Sequence, residues 1–175
     1  MIKGGKGGGN TATGLNFEKE KDILSLLSKI DGYTVKNSIV FFEDKEVARS
    51  YRKYDLYRYL QSQGVDYKKY LSKRLIPDDA IYVIANNTLF IIEFKSQKGG
   101  GSVDEKLQTC DFKKKHYRKL MAPLNIEVEY IYILEGWFRK PAYKDSLGYI
   151  LSVGCQYYFS DMMIPLQKLG LPIPR

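Results

Sequence analysis

Cysteine and histidine are scarce in this chain. The two cysteines, Cys110 and Cys155, lie far apart, with neither metal-ligand spacing nor the density of a disulfide framework. That excludes a small stapled scaffold and points to a reducing, cytoplasmic setting. The single histidine, His116, sits inside a lysine run, which suits a phosphate-facing or surface residue better than a general base. Long apolar runs are missing as well. No stretch approaches the ~20 residues that span a bilayer, so no membrane partner is expected. The segment after Met1 is glycine-rich and unlike a signal peptide. Repeats, heptads and an interdomain linker are also lacking. A chain of 175 residues suits one domain, residues 1–175, and a domain of this size buries roughly 70% of its unfolded surface.

Acidic residues are the minority, 20 against 28 Lys and Arg, leaving a net charge of +8 and a pI near 9.3. A polyanionic partner fits that balance. Aromatics make up 14% of the chain, and many of the fifteen tyrosines alternate with Lys and Arg. Such a mixture suits phosphate contacts combined with base or sugar packing.

Residues 77–95 form the organising stretch. Two apolar runs, 80–85 and 88–92, flank Asn86-Asn87, and Asn tolerates the left-handed backbone of a tight hairpin turn. Both runs are apolar on both faces, as in strands covered by helices on each side. Yet one end of this hairpin carries Asp78, Asp79, Glu93 and Lys95. Buried charges are costly unless paired or metal-bound, so the conflict marks a candidate site. With a two-residue Asn86-Asn87 loop, Ala80 is expected to face Glu93 and Asp78 to face Lys95. Asp78, Glu93 and Lys95 then share one face, and Asp79 and Phe94 point to the other.

Pro77-Asp78 followed by Glu93-Phe94-Lys95 on the next strand resembles the signature of the PD-(D/E)XK nuclease superfamily, in particular its small type II restriction endonucleases. The Gly14-x-x-x-Glu18 segment and the stretch Gly101-Ser102-Val103-Asp104-Glu105-Lys106-Leu107-Gln108-Thr109 add to the resemblance, which covers about the first two-thirds of the chain. It implies an α/β fold, with a mixed central sheet flanked by helices as in restriction endonucleases. It also implies a catalytic set of Asp78, Glu93 and Lys95 with Glu18 as accessory carboxylate. Asp78, Glu93 and the Phe94 main-chain carbonyl are the expected ligands of Mg²⁺, a cation that favours oxygen donors and keeps waters. For the accessory residue, family spacing favours Glu18 and helical phase favours Glu20. We take Glu18.

Residues 1–14 form a glycine-rich arm, either a disordered leader or a flexible strand whose Lys6 follows a phosphate backbone. Residues 16–30 have the apolar spacing of a helix, and 33–42 that of a strand. Asp44 is placed to cap a helix through about 63, which carries Arg49, Arg52, Lys53 and Arg58. Lys73 and Arg74 lead into Pro77. Ser102 is placed to cap a helix to about 121 that bears Gln108, Lys113 and Lys114. Residues 127–134 alternate as a strand beside the hairpin, and the remainder, including Arg139, resists parsing. These Lys, Arg and Gln residues are the expected DNA contacts. Charge runs are also commonly plain solvated faces.

The reading is therefore a Mg²⁺-dependent endodeoxyribonuclease of the type II restriction kind, expected to cut double-stranded DNA at a specific sequence and to leave 5′-phosphates as the resemblance implies. One centre per small chain suggests a homodimer. The alternatives are a structure-specific resolvase or repair nuclease, and a non-catalytic DNA- or RNA-binding module.

Overall fold

The computed structural model describes residues 14–98 and 103–175. Seven strands form one mixed sheet in the order β2-β3-β4-β5-β6-β7-β8. They are β2 (Tyr33–Lys36), β3 (Ile39–Phe42), β4 (Lys45–Ser50), β5 (Asp79–Val83), β6 (Thr88–Lys95), β7 (Glu127–Leu134) and β8 (Gln156–Phe159). Strands β2 to β6 pair antiparallel, while β6–β7 and β7–β8 are parallel. Parallel neighbours need long crossovers. The first carries α3 (Val103–Leu107) and α4 (Cys110–Met121), the second α5 (Lys144–Ser152). A separate ribbon pairs β1 (Gly14–Asn16) with β9 (Met163–Pro165).

The central strands are buried on both faces. One face packs Leu89, Ile91, Tyr130 and Tyr132 against α4, α5 and α2 (Asp55–Ser62). The other packs Phe90, Ile92, Ile131 and Ile133 against the β1–β9 ribbon, the residues around Leu169, and α1 (Ile23–Leu27). This α/β architecture with helices flanking a mixed sheet is the one expected. No helix among the described residues is long and apolar enough to cross a membrane.

Several elements differ from expectation. The helix expected over residues 16–30 shrinks to α1, because Leu15 is buried through pairing with Ile164, a partner no local pattern reveals. Asp22 then caps α1 by accepting the Leu24 and Ser25 N–H groups. Asn37 and Ser38 both take left-handed φ and split the expected strand into the β2–β3 hairpin. Glu43 and Asp44 do the same between β3 and β4, so Asp44 turns a hairpin instead of capping a helix, and α2 begins only at Asp55. The helix expected to reach 121 breaks between α3 and α4, where the Thr109 hydroxyl donates to the Lys106 carbonyl at 2.7 Å. Ser102 and residues 1–13 of the arm lie outside the described residues, while Gly14, its last residue, opens β1 opposite Pro165.

The hairpin register also shifts. Asp79 pairs with Ile92 and Val83 with Thr88, leaving a four-residue loop, 84–87. Only Asn87 takes positive φ. Both Asn side chains are drawn into long-range bonds, Asn86 Nδ2 to the Leu169 carbonyl and Asn87 Nδ2 to the Asn125 carbonyl. Those anchors favour the longer loop. Ala80 therefore opposes Ile91 rather than Glu93, and Asp78 no longer opposes Lys95. The slip is two residues, and side chains alternate with period two, so every residue keeps its expected face.

Candidate active site

Strand β6 ends in Glu93, Phe94 and Lys95, and its odd-numbered side chains point to the α4 face. Asp78, just before β5, lies on that face too. Its Oδ2 accepts the Phe94 N–H at 3.0 Å. Backbone groups of a strand alternate between its two neighbours. The Lys95 carbonyl accepts from Glu135 N–H beyond β7, so the Phe94 N–H and C=O point to the opposite edge, where Asp78 stands.

Glu93 is only 4% exposed. Lys95 Nζ lies 2.9 Å from its Oε2, and Lys113 Nζ from α4 lies 2.9 Å from Oε1 and 2.7 Å from Oε2. Burial alone pushes the Glu93 carboxyl up, but Lys95 and Lys113 outweigh it and hold the group below the usual range. Lys95 also lies 5.7 Å from the Tyr132 ring centroid, within cation–π reach. Tyr117 and Tyr130 complete the floor. Burial, then the Glu93 charge, pushes both hydroxyls well above the ordinary tyrosine value. Asp78, Glu93, Lys95 and Lys113 together balance to zero charge.

Asp79 faces the other way and is 1% exposed. Its carboxylate accepts the Ile23 N–H at 3.3 Å and its neighbour Ala80 N–H at 2.9 Å, joining α1 to β5. Burial pushes its carboxyl up to about 6, against the Ile23 hydrogen bond and the Arg52 charge, both of which lower it. Arg52, expected on DNA, instead bridges Asp22 at 2.8 Å and Asp79 at 3.9 Å.

The other expected residues scatter. Glu18 lies in an exposed bend after β1, and no hydrogen bond or ion pair among the described residues links it to Asp78 or Glu93. Glu20 accepts from Ser25 and pairs with Lys29. Lys114 is buried against Glu129 and the Gly154 carbonyl, a structural tie inside the fold. Arg49 pairs with Glu46, Arg58 with Asp55, and Arg139 with Asp161. Lys53 and Lys73 are exposed, with no ion pair among the described residues, and Gln108 is exposed beside Tyr149. Arg74 stacks on Tyr57 and Tyr67. Lys6 lies outside the described residues.

Lys113 was expected on DNA, and its contact with Glu93 was missed. A signal existed. Cys110, Lys113, Lys114, Tyr117 and Met121 recur at the three- and four-residue spacing of one helix face, and Cys110, Tyr117 and Met121 are core residues. A lysine in that phase is turned inward.

Fold and site together define an α/β protein with a mixed, helix-flanked sheet and a carboxylate–lysine cluster at one strand end. Compared with known protein families, curated proteins and solved structures, the chain finds no match.

Proposed function

We propose that the chain is a metal-dependent endodeoxyribonuclease with the PD-(D/E)XK site and a restriction-endonuclease-like fold. The observation that carries the reading is the convergence of Asp78, Glu93 and Lys95 on one sheet face, with Glu93 buried yet charged. Among the described residues no three Asp, Glu, His or Cys side chains form a closed metal cage. Two carboxylates and the Phe94 carbonyl nonetheless fit Mg²⁺, which commonly takes one or two carboxylates and retains waters. When bound, the ion would stabilise charge developing on the phosphate and the leaving 3′ oxygen.

The chain's own groups would do the rest. Asp78 is oriented by the Phe94 N–H, so its position follows the backbone of β6. Lys95 would orient the attacking water beside the scissile phosphate and aid its deprotonation. Lys113 would keep Glu93 ionised and in place. Water attacks phosphorus, the bond to the 3′ oxygen breaks, and a 5′-phosphate remains. Cutting both strands of duplex DNA would engage a homodimer with two-fold symmetry.

Incubation of a long duplex of known sequence with Mg²⁺ tests the reading. Discrete fragments are expected, lost on chelation. DNA left intact under all metal conditions sinks it. One observation favours a second reading: two ammonium groups already satisfy Glu93, as they would in a structural ion-pair network of a non-catalytic DNA-binding protein. That protein binds DNA equally with and without metal and never breaks a strand.

A further inference from the structure

Outside the carboxylate–lysine cluster, and including none of its residues, a cleft of about 560 Å³ opens between α2 and the segment 64–74. Its walls include Tyr54, Tyr57, Tyr67, Gln61, Asp66 and Arg74. The aromatic part is a set of mutually packed side chains. The Arg74 guanidinium carbon lies 4.5 Å from the Tyr67 ring centroid and 5.5 Å from that of Tyr57. The two rings meet edge-on at 5.5 Å. Tyr54 is 54% exposed at the mouth. The polar part offers both kinds of partner: Gln61 donates and accepts, Asp66 accepts and Arg74 donates.

Charge separates the possible ligands. Arg58, which also lines the cleft, is paired with Asp55, and Arg74 shares the wall with the opposite charge of Asp66. The cleft is thus close to neutral. A phosphate would gain no flat contact and would meet the Asp66 carboxylate. A neutral, planar heterocycle with donors and acceptors on its edge satisfies both walls.

The cleft is also joined to the site. The Tyr57 hydroxyl donates to the Leu75 carbonyl at 2.8 Å and accepts the Leu75 N–H at 2.9 Å. Tyr117, from the floor beneath Glu93, donates to the same carbonyl at 3.2 Å. Leu75 begins the short run, Leu75-Ile76-Pro77-Asp78, that delivers Asp78.

We propose that this cleft accepts one unpaired nucleobase of the nucleic-acid substrate, stacked on the tyrosine–arginine wall next to the cleavage site. The proposal rests on the DNA reading for the source of the base. Stacking on an aromatic side chain raises affinity by about fivefold or more per base.

The test uses full-length protein without metal and two labelled duplexes, one with a single unpaired adenine, the other abasic at that position. Fluorescence anisotropy is expected to show the adenine duplex bound about fivefold or more tightly. Tyr67→Ala should erase the difference while leaving affinity for the abasic duplex unchanged. Gln61→Ala, on the exposed end of α2, should reduce it and guards against misfolding of the first variant. Equal affinity for both duplexes overturns the proposal and leaves the nuclease reading standing. Clear discrimination with no strand cleavage in Mg²⁺ sinks the nuclease reading and keeps the cleft. If adenosine saturates the cleft in a ligand NMR titration while the duplexes do not differ, the site serves free nucleosides and the proposal fails. Binding of neither duplex overturns both.

Discussion

At the scale of single residues, Glu93 and its two lysines form one charge unit, so loss of any member changes the field on the others. Glu93→Ala and Lys95→Ala are each expected to lower single-turnover cleavage by about a hundredfold or more with the fold intact. Near wild-type cutting by either variant would remove this site from consideration. The adjacent aspartates should separate. Asp78→Asn should abolish Mg²⁺-dependent cleavage, whereas Asp79→Asn should leave most of it, since Asp79 serves α1 on the other face. Asp79 carries a pH signature instead. Its folded pKa of about 6 lies above the unfolded value near 4, so the folded state holds the proton more tightly. Its contribution to stability is full below pH ~4 and is lost as pH rises through about 6, on the order of 2–3 kcal/mol. Urea midpoints of metal-free protein across that window should fall less steeply with pH in Asp79→Asn. An unchanged slope would mean that Asp79 does not titrate there.

At the scale of elements, α4 converts a lysine run into three different roles. Lys113 turns to Glu93, Lys114 is buried on Glu129, and Lys115 pairs with Asp111 on the surface. Lys114→Ala should cost about 2 kcal/mol or more, because it leaves the Gly154 carbonyl and Glu129 without their cation. Lys115→Ala should leave stability nearly unchanged, because an exposed i,i+4 pair is screened by solvent. Urea unfolding of both variants checks the contrast, and equal losses would contradict the burial difference. Elements with a local cause were legible in advance. The β6 and β7 strands and the hairpin follow from apolar runs and an Asn pair. The helix expected over 16–30 was not, because Leu15 answers to Ile164 at the far end of the chain.

For the whole molecule, the net charge of +8 predicts DNA binding that weakens steeply with salt. The log–log slope should approach about 0.9 per phosphate contacted. Arg49, Arg52, Arg58 and Arg139 are already paired within the fold, so the slope should fall below that of the full basic count, with exposed lysines such as Lys53 and Lys73 among the contributors. Affinity measured from low to moderate salt decides this, and a flat profile would mean that the basic surface does not follow the backbone. Ca²⁺ should support binding with little cleavage, because its looser coordination positions water less well than Mg²⁺ does.

The sequence by itself determined which residues share the site face. Strand alternation is a local property of period two, so Asp78, Glu93 and Lys95 stayed together even though the register slipped by two. It also determined the layered class, since strands apolar on both faces require cover on each side. Only the tertiary structure decided the loop length, because Leu169 and Asn125 pull on Asn86 and Asn87 from distant parts of the chain. The same holds for Lys113 at Glu93, for Arg52 between Asp22 and Asp79, and for Arg74 between two tyrosines. A charged side chain's partner is set by which elements pack against each other, and pairing across long sequence separation leaves little trace in local pattern.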